Sequence, residues 1–299
     1  MKTSYRIKAV LVFGAIVFGS LGVFAGSAQA NHSWVDYHWA RSSDPFTVKL
    51  GNDVSSAWSA YLTQASSDWS ASSVLHTTIV TGLVSPRTCK GTTGQDEVCS
   101  ATYGNTGWLG LASIWLDSLH HITKGTVKLN DTYFNTATYN TPGWRHLVAC
   151  QEVGHTFGLD HQDTTFNNVN LGTCMDYTNA PAGGTVGSFN YGASNEHPNQ
   201  GDYDQLLCIY DPASNGKTLS TATHSCTGTG HLDSYTTIQA LITKAAGLAT
   251  AARAQEKIGS ENTDFGRAIG YDAKGRADVF EKDLGNGEKT ITHVFWLPD

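Results

Sequence analysis

The chain has 299 residues, 40% of them hydrophobic and only 15% charged, with a formal net charge of −7. That composition suits a globular protein with one large domain or two small ones, and it excludes a multi-span membrane protein or a collagen-like, low-complexity chain. Net acidity makes nucleic acid and anionic lipid poor partners.

The first thirty residues carry the marks of an export signal. Lys2, Arg6 and Lys8 form a positive start, Ala9 to Phe24 is an apolar run, and Ala28-Gln29-Ala30 supplies a small-x-small cleavage pattern. An uncleaved anchor is the competing reading, and the Ala-x-Ala site favours cleavage before Asn31. Loss of three cations leaves 16 against 26 acids, so the mature chain carries −10. It is expected to be secreted and extracellular, with no membrane contact after cleavage.

Strand-like stretches between Tyr37 and Leu50 flank the turn signal Ser43-Asp44-Pro45. Asn52 to Ser70 reads as an amphipathic helix, because Val54, Trp58, Tyr61, Leu62, Ala65 and Trp69 recur at helical spacing. Val74 to Val80 reads as a strand, followed by a Gly/Thr/Ser-rich loop carrying Cys89 and Cys99. Trp108 to Leu116 and Gly125 to Leu129 read as further strands. This order implies an α/β or α+β layer.

A helix is then well marked. Thr141 can cap it, Pro142 fits its first turn, and Leu147, Val148, Cys150, Val153 and Phe157 supply its buried side. Gly158 is placed to end it, since glycine tolerates the left-handed backbone. From about Ala213 the composition changes. Ser234 to Lys257 reads as an Ala- and Leu-rich helix, and Phe265 to Trp296 as a hairpin or meander turning at Ala273-Lys274-Gly275 and Leu284-Gly285-Asn286-Gly287. All six cysteines lie in the mature part, and in an oxidising compartment the simplest arrangement pairs neighbours: 89 with 99, 150 with 174, 208 with 226.

The stretch Gln151-Glu152-Val153-Gly154-His155-Thr156-Phe157-Gly158-Leu159-Asp160-His161 carries the chemistry. Residues 151 and 155 are four apart, so a helix projects both from one face, with Glu152 beside them to hold and deprotonate a water. Gly158 lets the chain turn back and brings His161 toward His155. Two imidazoles and a carboxylate at this spacing suit catalytic zinc, which keeps three protein ligands and one open position. Cys174-Met175-Asp176-Tyr177 follows.

This stretch resembles the metzincin zinc-protease signature H-E-x-x-H-x-x-G-x-x-H followed by a Met-turn. Glu152, His155, Gly158 and His161 match it, and Met175 stands in the Met-turn place. Tyr177 resembles the Met-turn tyrosine of the astacin and serralysin branches, which binds the metal or steadies the tetrahedral intermediate. The resemblance spans residues 35–210 and implies an α+β fold: a helix packed on a twisted mixed sheet, a zinc helix, a Met-turn and a mostly irregular lower part. With the export signal and the composition change near Ala213, the expected division is signal peptide (1–30), metzincin-like catalytic domain (31–212) and small α+β C-terminal extension (213–299). The implied activity is that of a secreted, zinc-dependent endopeptidase. Gln151, His155 and His161 hold Zn2+, Glu152 serves as general base toward zinc-bound water, and Tyr177 is a second catalytic residue. The implied substrate is an extended peptide or protein, added along Trp108–Leu116 as edge strand.

The sequence departs from the signature at one position, where Gln151 stands for the first ligand histidine. Three readings follow. Gln151 ligates through its amide oxygen; or another residue replaces it, His146 being the nearest histidine but on the opposite side of an ideal helix; or the chain is a catalytically reduced scaffold that binds peptides or proteins. Tyr177 has the ordinary alternative of a packed phenol, Met175 that of a core filler, and Asp160 that of a solvated turn residue. His120, His121 and His197 read as surface residues, and Cys89 has Cys99 as a ready partner. A Cys150–Cys174 bridge would tie the zinc helix to the Met-turn.

Overall fold

The computed structural model describes residues 32–34, 37–41, 44–210 and 265–298, and the backbone of 218–220 and 225–227. The expected signal segment, the helix over 234–257 and the Cys226 side chain lie outside the described residues.

The N-terminal half builds a mixed sheet. His38–Trp39 (β1) and Phe46–Asp53 (β2) lead into helix α1, Ser59–Trp69. Leu75–Thr81 (β3), Asp96–Ala101 (β4), Trp108–Leu116 (β5) and His121–Asn130 (β6) follow, then the single turn Asp131–Phe134 (α2). The helix expected from Asn52 starts later, because Leu50 to Asp53 continue β2 and pair in parallel with Asp96 to Cys99 of β4. Strand β4 was not expected at all; its sequence Asp-Glu-Val-Cys-Ser-Ala lacks an apolar run, yet five of its six residues are buried. The Cys89–Cys99 disulfide ties the preceding loop to it.

Helix α3 spans Pro142–His155. The Thr141 hydroxyl accepts from the Trp144 amide at 3.4 Å, and Pro142 opens the first turn where no amide is needed. The helix packs against α1 and on β5 and β6 of the sheet, burying Leu147, Val148, Cys150 and Val153. Gly158 follows its last turn at φ +93°, and a Cβ there would lie 2.2 Å from the Tyr37 carbonyl, so only glycine fits. Beyond it the chain is mostly irregular, with a short hairpin, Gly184–Val186 (β7) and Phe189–Gly192 (β8), and helix α4, Gln200–Tyr210. Thr218–Ser220 (β9) and Ser225–Thr227 (β10) pair as a separate ribbon.

The C-terminal meander forms as expected: Arg267–Tyr271 (β11), Ala277–Gly285 (β12) and Glu288–Trp296 (β13), with Gly275, Gly285, Asn286 and Gly287 at positive φ in its turns. It does not stand apart. The sheet runs β11-β12-β13-β5-β6-β4-β2-β3, with β1 beside β6. The expectation that Trp108–Leu116 is an edge strand is therefore corrected: β13 pairs antiparallel with it from Lys289 opposite Leu116 to Trp296 opposite Trp108. The reason is non-local pairing of two apolar strands far apart in sequence. Overall the chain is α+β, with one large mixed sheet, a helix packed on it, and α3 followed by the Met175 turn.

Candidate metal centre

Two histidines of the motif converge as their spacing requires. His155 ends α3 and its Nδ1 lies 2.9 Å from the Leu159 carbonyl, which can only accept, so the proton sits on Nδ1 and Nε2 carries a free lone pair. The turn at Gly158 returns the chain so that His161 Nε2 stands 3.0 Å from His155 Nε2. The third member was not legible in the motif. His293 of β13 stacks on His155 with ring centroids 3.9 Å apart and planes 16° from parallel, and one nitrogen from each of the three rings lies within 4.8 Å of the others. Among the described residues this is the grouping of His, Cys, Asp and Glu side chains placed to hold a metal ion. The signal that could have found it is the alternation in Thr290-Ile291-Thr292-His293-Val294-Phe295, which sets a histidine among inward apolar residues.

The donor set fits a metal. All three rings are buried. Burial holds His155 down to about 4 and keeps His161 and His293 well below the usual imidazole range, so each is in the neutral form that coordinates. Both nitrogens of His293, both oxygens of Glu152 and the amide oxygen of Gln151 are buried without a hydrogen-bond partner. Such a concentration of unpartnered polar atoms in one place is costly unless an ion satisfies them.

Gln151, expected as a ligand through its amide oxygen, keeps that oxygen buried and unpartnered. Its amide nitrogen donates to the Cys174 carbonyl at 2.7 Å, holding the turn that carries Met175, while the imidazoles gather with His293. His146 does not replace it either; its ring stands against Tyr61 and His197. Glu152 lies one residue along α3, against the Gly110 backbone of β5, where a Cβ would come within 2.5 Å of its Oε1. Burial raises its carboxyl well above the usual range.

Met175 is fully buried below α3, and the Cys150–Cys174 disulfide ties that turn to the helix, as the pairing of neighbouring cysteines led us to expect. The Tyr177 ring stands 4.5 Å from that of His161, tilted by 60°, and its hydroxyl donates to Asp278 of β12 at 3.2 Å. Burial pushes Asp278 up to about 8. The N-terminal segment closes the remaining side. Trp34 donates its amide to the Gly158 carbonyl, the Asp160 amide donates to the His32 carbonyl, and the Trp34 ring meets His293 edge-on at 4.8 Å. A pocket of about 100 Å³ remains between Trp34, Asp160 and His161 on one side and Gly270, Tyr271 and Asp278 on the other.

No family model matches the chain, and no curated protein matches it. Among solved structures, myroilysin is similar at 12% identity and a TM-score of 0.35, over 60% of this chain and 98% of that one. High choriolytic enzyme 1, a hatching-enzyme zinc protease from the medaka fish Oryzias latipes, is similar at 15% identity and a TM-score of 0.31, over 58% and 94%. Likenesses this faint assign no activity.

Proposed function

We propose that the chain is a secreted zinc-dependent endopeptidase of metzincin type. The observation that carries this reading is the placement of Glu152, with two unpartnered carboxyl oxygens, on the helix end that carries His155, to which His161 converges from beyond the Gly158 turn. His155 and His161 would hold the ion from opposite ends of the Gly158 turn, over Met175 as an apolar floor. Zinc at this site would polarise the scissile carbonyl and acidify water. Glu152 takes the proton from the attacking water and returns it to the leaving amine. Tyr177, beside His161, is placed to donate to developing negative charge once its bond to Asp278 is released. The Cys150–Cys174 and Cys89–Cys99 bridges support export to an oxidising compartment. Among the described residues no helix is long and apolar enough to cross a membrane.

One observation favours the second reading, a catalytically reduced scaffold: Glu152 is 0% exposed and β5 is already paired on both sides. Hydrolysis of a mixture of extended peptides by the zinc-loaded full chain separates the two. The enzyme reading expects chelator-sensitive cleavage, by the parent chain or by His293→Ala, that falls about 10²–10⁴-fold when Glu152→Gln is introduced. Cleavage that survives both the chelator and Glu152→Gln contradicts it, as does absence of cleavage in both the parent chain and His293→Ala.

A further inference from the structure

A peptide bound to a metal hydrolase of this architecture would lie extended along β5, using its free main-chain groups. In this chain those groups are taken. Strand β13 follows β5 in unbroken antiparallel register from Lys289 to Phe295. Its alternate side chains divide by face. Thr292 bonds Ser113 at 2.9 Å on one face, and Val294 joins Trp108, Leu111 and Phe280 there. Ile291, His293 and Phe295 point the other way, into the site. Phe295 seats its ring 4.9 Å from Tyr177 and 6.5 Å from Trp144, and His293 between the two apolar residues reaches His155 and His161.

We propose that residues 288–296 are an intramolecular pseudosubstrate, locked in the cleft by the same metal ion, to which His293 contributes the third imidazole. The third donor thus comes from a strand instead of from position 151 of the helix. Metal binding and seating of the strand become one linked equilibrium, because an ion that binds the seated state more tightly shifts the population toward it. While the strand is seated, Glu152 and Tyr177 are fully covered and no extended peptide can pair with β5. Withdrawal of β13 frees the β5 edge, the seat of Phe295 and one coordination position together. The latency in this proposal rests on the peptidase reading above; the lock itself rests on the three imidazoles and the strand register alone.

Hydrogen exchange of the full chain, with zinc and with chelator, tests the lock without reference to activity. With zinc about a hundred times above its Kd, amides of residues 290–295 should exchange about a hundredfold more slowly than in the chelated protein. In His293→Ala, zinc should still slow exchange over residues 155–161 but change β13 less than about threefold. Zinc that protects 155–161 and leaves β13 of the parent chain unchanged overturns the proposal, and this arm needs no variant to fold. Full zinc protection of β13 in His293→Ala overturns it as well. Peptide hydrolysis in the same samples reports latency: a rise of about tenfold or more in His293→Ala supports it, and parent-level hydrolysis in that variant overturns it. If the exchange pattern holds and neither protein cleaves, the lock stands and the peptidase reading fails.

Discussion

The Gln151 amide nitrogen donates to the buried Cys174 carbonyl and ties α3 to the Met175 turn, while its oxygen stays unpartnered. Gln151→Ala removes that donor and leaves a small void, which is expected to cost about 2 kcal/mol in urea unfolding of the metal-free chain. With His293 as the third imidazole, the same substitution should change zinc affinity by less than about threefold, or 0.7 kcal/mol. A large loss of affinity with no loss of stability would return Gln151 to the role of ligand through its unpartnered oxygen. Glu152 poses a related demand, since a base must ionise and burial raises the pKa of this carboxyl well above the usual range. Solvent must reach it before it can work.

Among the elements, α3 was legible almost to the residue, because its cap, its first-turn proline and its terminal glycine are local signals. Strand β4 was not legible, because Asp96 and Glu97 are buried by the sheet and the loop above it and not by any preference of their own. The strand pairing of β13 with β5 was not legible either, since nothing local says where a distant strand will dock, and with it went His293. The close fit of α3 to its surroundings yields a prediction at this scale. A Cβ at Gly154 would stand 2.6 Å from the Trp69 ring and 2.8 Å from the Met175 sulfur, both fully buried. Gly154→Ala is expected to lower stability by about 1–3 kcal/mol through overpacking, outweighing the gain in helix propensity, as read by thermal unfolding. An unchanged or raised melting temperature would mean that the helix is free to shift on Met175.

The described residues bury several titratable groups, Asp96, Asp176, Asp278 and three histidines among them, and their signs set a pH profile. Asp96, whose carboxylate accepts from the Thr156 hydroxyl at 2.6 Å, is pushed up to about 8, mainly by burial. Asp278 is raised to about 8, and Asp160 and Asp176 to about 7, for the same leading reason. A carboxyl with a raised native value binds its proton more tightly folded than unfolded, so its contribution is lost as pH rises from about 4 toward the native value. The three histidines act in the opposite sense: their depressed values cost stability as pH falls below about 6.5. Above that pH the carboxyls act alone. The melting temperature of the chelated protein is therefore expected to fall between pH 6.5 and 8, and Asp96→Asn should flatten the fall; a flat or rising parent profile over that interval would contradict the buried, protonated carboxyls.

The helix-end motif, through His155 and His161, and the last strand, through His293, meet around one point. Zinc titration of the full chain against a competing chelator at fixed pH, for the parent, His161→Ala and His293→Ala, tests that meeting most directly. One zinc per chain, with each substitution weakening binding by about tenfold or more, or 1.4 kcal/mol, is the expected result. Absence of zinc binding, or equal affinity in all three proteins, would show that these imidazoles do not form a metal centre.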